Sequence, residues 1–71
     1  MNTDNLLLLE ELLDKEIASL EYELSRTTYS RDFTNSLGIK TTEDDLTIST
    51  ITAMLATAKD TLTKLEEWSN N

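Results

Sequence analysis

The chain has 71 residues, 38% of them apolar, with one glycine, no proline, no cysteine and no histidine. A chain this short has room for one thin core and generally needs a disulfide, a metal or a partner; lacking cysteine and histidine, it forgoes disulfides and the usual ligands of zinc, haem and iron–sulfur sites, leaving oxygen-ligated Mg²⁺ or Ca²⁺. Its 14 acidic residues against 6 basic ones, a net charge of -8, repel nucleic acid and anionic lipid at long range, so association with another protein chain is the expected source of extra stability.

The absence of proline and the single Gly38 divide the sequence into two long stretches, which predicts an all-α, antiparallel two-helix hairpin. In the first stretch Leu6, Leu9, Leu13, Ile17, Leu20 and Leu24 recur at steps of three and four that average the 3.6-residue helical period. Thr3 or Asp4 serves as its N-cap. From Ser25 to Ser36 the residues are weaker helix formers, so a kink is expected near Thr27 if the helix gives way anywhere. The predicted helix covers residues 4–37, with Gly38 in the left-handed position beyond its end and Ile39 folding back on Phe33.

Thr41 and Thr42, followed by Glu43, Asp44 and Asp45, mark a second start: a hydroxyl accepts from free amides and three carboxylates meet the positive end of the dipole. The second helix covers residues 43–68. Its Ile48, Ile51, Leu55, Ala58, Leu62 and Leu65 form a seam that needs a facing helix. A linker of residues 38–42 makes the two helices antiparallel neighbours, which sets Leu55 near Leu24, Leu62 near Ile17 and Leu65 near Leu13. Twelve threonines, many in the second helix, lower its intrinsic propensity, so packing must hold it. The tail Ser69, Asn70 and Asn71 is expected to fray.

Two surfaces exceed what one hairpin can cover. Leu6, Leu7, Leu8 and Leu9 point in four directions about 100° apart, and Leu12 widens the patch. Trp68, placed near Leu12, covers part of it. These six residues are the candidate self-association surface, pairing the hairpin as a homodimer into a four-helix bundle. Tyr22, Arg26, Tyr29, Arg31 and Phe33 form the candidate partner-binding surface, since aromatic residues and Arg are enriched in interface centres. The alternative is that these aromatics cap the turn end of the core against Ile39, Leu46 and Ile48. Residues 26–40 carry a net +2 between acidic arms of -6 and -4. Arg26, Arg31 and Lys40 either hold a phosphate or carboxylate surface or neutralise neighbouring acids across the hairpin or in a second chain.

No catalytic constellation stands out: there is no histidine base, cysteine nucleophile or Gly-rich phosphate loop. No metal or other cofactor is expected, because the acidic cluster at Glu43, Asp44 and Asp45 lacks the alternating ligands and central glycine of an EF-hand. No run approaches the ~18 apolar residues that span a bilayer, and the leucine run is too short, without a basic flank, for a secretory signal. A cytoplasmic location is expected. The plan of long helix, Gly38–Ile39 turn and second helix resembles that of phage tail-fibre assembly chaperones and of the hairpin phosphatases of sporulation phosphorelays. Where those phosphatases carry Ser four residues before an Asp, this chain has Ala56 before Asp60.

The expected function is a small acidic non-enzymatic interaction module: an adaptor, assembly factor or inhibitor, of the format common among phage and plasmid products directed at a host defence or regulatory protein. Two alternatives come from other classes. One is a sponge for an anionic nucleotide held between Arg26, Arg31 and the rings of Tyr22 and Tyr29 at a subunit junction. The other is an acidic mimic of nucleic acid.

Overall fold

The computed structural model describes the backbone of residues 3–70 and the side chains of residues 4–69. Two helices account for it, α1 over Thr3–Ser36 and α2 over Thr42–Asn70. Helix α1 runs unbroken through Thr27, so no kink occurs there. It begins at Thr3, and the position before it lies outside the described residues. Helix α2 begins one residue earlier and ends two residues later than the sequence implies. Ser69 and Asn70 are helical rather than frayed, while Asn71 lies outside the described residues.

Gly38 stops α1. Its φ of +77° is accessible to glycine at little cost. There its N–H donates to the Asn35 carbonyl at 2.9 Å and the Ile39 N–H donates to the Thr34 carbonyl at 3.3 Å. This pair of bonds is the Schellman pattern, and it satisfies carbonyls that the helix end would otherwise leave open. The apolar contact expected to accompany it contributes little burial, because Phe33 and Ile39 are both more than half exposed. At the start of α2 the carbonyl of Thr41 accepts the first helical bond from Asp45 N–H at 2.9 Å. The Thr41 hydroxyl, buried with its residue, faces Asp45 Oδ2 at 3.4 Å instead of a free amide.

The helices are antiparallel, as three cross-helix polar ties show. Arg31 meets Asp45 beside the turn at 3.6 Å, Glu21 meets Lys59 midway at 3.7 Å, and Ser69 donates to Glu10 at the far end at 2.9 Å. Between these ties Leu20, Ile51 and Leu55 form the buried cluster, with Ile17 and Leu24 packed against it. Leu6, Ala58 and Leu65 are also buried, whereas Leu13, Ile48 and Leu62 are half-buried. Leu9 lies outside the core at the edge of the stripe. The result is a rod of 53 × 14 × 14 Å with a radius of gyration of 16.2 Å, against about 11 Å for a compact chain of this length. No described side chain is completely shielded from solvent. The core is thin, as the chain length implied.

Within α2 the hydroxyls of Thr47, Thr50, Thr52, Thr61 and Thr63 each donate to the carbonyl four residues earlier, at 2.8–3.0 Å. Such back-bonding satisfies the hydroxyls without strengthening the helix, so α2 depends on the seam it shares with α1. Among the described residues, no buried side-chain N or O atom lacks a hydrogen-bond partner. No described helix is long and apolar enough to cross a membrane.

Truncation of the central seam should therefore be costly. Leu55→Ala is expected to lose about 2–5 kcal/mol in urea unfolding, while Leu46→Ala, at a residue 64% exposed, should lose under ~0.5 kcal/mol. At Gly38 a Cβ would meet no atom within 4 Å, so Gly38→Ala should cost only the left-handed backbone penalty, about 1–2 kcal/mol.

Candidate interaction surface

Because α1 is continuous, its residues can be placed around one axis at about 100° per residue. Leu6, Leu13, Ile17, Leu20, Leu24 and Arg31 lie on the side facing α2. On the far side lie Leu8, Leu12, Tyr22, Arg26, Tyr29, Phe33 and, just past the helix end, Leu37. Their apolar members are 53–77% exposed. The aromatics therefore do not cap the turn end of the core.

The structure divides both groups of residues singled out in the sequence. In the leucine group, Leu6 is a core residue at 8% exposure, and its inward placement removes it from any external surface. Leu7 sits on the opposite flank from Leu8 and Leu12. Trp68 does not cover Leu12, since both remain more than half exposed. In the aromatic group, the Arg26 guanidinium lies 5.8 Å from the centre of the Tyr22 ring, a cation–π pair one turn apart. Tyr29 and Phe33 continue that row.

Arg31 stands apart from the row. Its guanidinium is held by Asp32 at 3.1 Å on its own helix and by Asp45 at 3.6 Å on α2, with its side chain 30% exposed. It ties the end of α1 to the start of α2, matching the sequence reading of charge neutralisation across the hairpin. An anion therefore cannot meet Arg26 and Arg31 together without breaking that tie. The depression beside Arg26, about 340 Å³, also has Glu23 and Asp44 in its wall. Those carboxylates oppose an anionic ligand.

A second depression of about 420 Å³ runs between the helices, lined by Leu13, Leu20, Ala53, Met54 and Ala58 among others. It is a shallow apolar groove on the side of the rod. Among the described residues, no three acidic groups converge in a way that could hold a metal ion.

Reading α1 as two separate patches missed Lys15, Ser19 and Leu37. The signal that finds them is the step pattern already used for the core, applied to the other side of the helix. Positions 8, 12, 15, 19, 22, 26, 29, 33 and 37 advance by threes and fours averaging 3.6, so they form one stripe along the whole helix.

The Arg31–Asp45 tie is the most exposed to salt of the features that fix the turn. A double-mutant cycle with Arg31→Ala and Asp45→Ala should give a coupling of about 0.2–1 kcal/mol, decreasing between 0.05 and about 1 M NaCl as screening grows. Coupling unchanged by salt would contradict an ionic origin.

In comparisons with known proteins, no family model, no curated protein and no solved structure matched this chain.

Proposed function

We propose that the chain is a small acidic, non-enzymatic protein-interaction module, an adaptor, assembly factor or inhibitor that works by holding another protein chain on the outer face of α1. The observation that carries this reading is a row of six large apolar side chains, Leu8, Leu12, Tyr22, Tyr29, Phe33 and Leu37, each more than half exposed on one helix face. Single exposed leucines are ordinary on a protein surface. A row of six along one helix face, even interrupted by Lys15, Ser19 and Arg26, is a form that helix-docking surfaces take.

Two features fit a docking role for this face. Aromatic side chains contribute large rigid contact areas with few rotors to freeze. Within the row, the Arg26 guanidinium lies 5.8 Å from the Tyr22 ring, a contact that favours one arrangement of those two side chains. A nucleotide-binding role has less support, because Arg31 is already engaged by two carboxylates and Arg26 borders two more.

Sedimentation equilibrium at micromolar concentration tests the docking role, with the wild type expected above its monomer mass of 8.1 kDa. The double variant Leu8→Glu, Leu12→Glu should sediment as a monomer with its far-ultraviolet helical signal retained. Titration of ATP into the wild type should give a flat calorimetric trace. Saturable heat that disappears in Arg26→Ala would replace the docking reading with the nucleotide one.

A further inference from the structure

We infer that the occupant of the α1 stripe is the same stripe of a second copy, packed antiparallel about a two-fold axis near Tyr22. This rests on the docking reading and names the partner at that surface. In chain order the nine stripe positions read Leu8, Leu12, Lys15, Ser19, Tyr22, Arg26, Tyr29, Phe33 and Leu37. Reversed and laid against itself, the stripe places Leu8 on Leu37, Leu12 on Phe33, Lys15 on Tyr29, Ser19 on Arg26 and Tyr22 on Tyr22. Apolar ends meet apolar ends, and each Lys15 ammonium meets an aromatic face. This self-complementarity is what an isologous two-fold contact requires.

Charge supports a second copy in this orientation. The nine stripe positions themselves carry only Lys15 and Arg26, although at about 100° per residue Asp4 and Glu11 project from the same face of α1. Two copies together carry -16, twice -8, and their repulsion is reduced because most of that charge lies off the joined faces. A parallel pairing would set Lys15 against Lys15 and Arg26 against Arg26. The antiparallel pairing separates those like charges along the axis by about 22 Å and 10 Å, from a rise of ~1.5 Å per residue.

The area is sufficient. An aromatic side chain covers about 150–250 Å², so Tyr22, Tyr29 and Phe33, exposed at 65%, 77% and 59%, offer on the order of 400 Å² per copy. Three leucines and the aliphatic stems of Lys15 and Arg26 carry the sum toward the ~800 Å² per partner of a stable interface. Because the stripe lies nearly opposite the face that meets α2, the four helices lie in one row, α2–α1 against α1–α2.

The chain has no cysteine, so a single introduced one reports its own position. Ser25→Cys lies near the proposed axis and Asn5→Cys at one end, both at exposed sites beside the stripe. With spin labels attached, pulsed dipolar spectroscopy on full chains should find Ser25 labels within about 25 Å of each other and Asn5 labels about 50 Å apart, given ~1.5 Å rise per residue. Short distances at both sites mean a parallel pair and overturn the inference. A short distance at Asn5 with a long one at Ser25 means contact through the leucine end alone, which also overturns it. Should Ser25→Cys lose its helical signal, Ala18→Cys repeats the central measurement from the other side of Tyr22. Chains that sediment as monomers overturn the pairing together with the docking reading, whereas chains that associate without the short Ser25 and long Asn5 distances overturn the pairing alone.

Discussion

One seam holds this molecule together. Leu20, Ile51 and Leu55, with Ile17 and Leu24 against them, are the only place where the two helices bury side chains as a cluster among the described residues. Helix α1 is 34 residues long and α2 is 29, and an isolated helix in water is marginal without tertiary support. The stretch 25–36 and the threonines of α2 add little propensity of their own. Among the described residues each helix packs only against the other, and both depend on that support. The polar ties at the two ends and the middle fix the orientation of the pair while contributing modest energy, since all three are solvent-exposed or nearly so.

From that seam follows the surface. A two-helix rod buries one side of each helix and leaves the other in water, so the apolar residues on the outer side of α1 pack against no other element among the described residues. Six large apolar side chains stand exposed on that outer side of a straight helix, and the proposed docking face rests on them.

Much of the fold is legible in the residues. Steps of three and four in both stretches locate the seam, Gly38 locates the turn, and Thr41 with the three acids after it locates the start of α2. The pairing of Leu55 with the Ile17 to Leu24 region follows from a short linker between straight helices. Less was legible where a local signal was ambiguous. Weak helix formers from Ser25 onward left the continuity of α1 open, and without continuity the leucines at one end and the aromatics at the other cannot be placed on one face. The structure carries α1 unbroken from Thr3 to Ser36. Arg31 reads as a surface cation by type, and only the approach of Asp45 across the turn shows it turned inward. Leu6 reads as one of four equivalent leucines until the direction of α2 is known.

The central claim is that the hairpin's stability is completed by a second chain on α1. Thermal unfolding followed across a hundredfold range of protein concentration tests it most directly, because a partner that binds only the folded state makes the melting temperature depend on concentration. The account requires the midpoint to rise steadily with concentration, in step with a doubling of the sedimenting mass. A fully helical chain that melts cooperatively at one fixed temperature throughout that range, as an 8.1 kDa monomer, would contradict it.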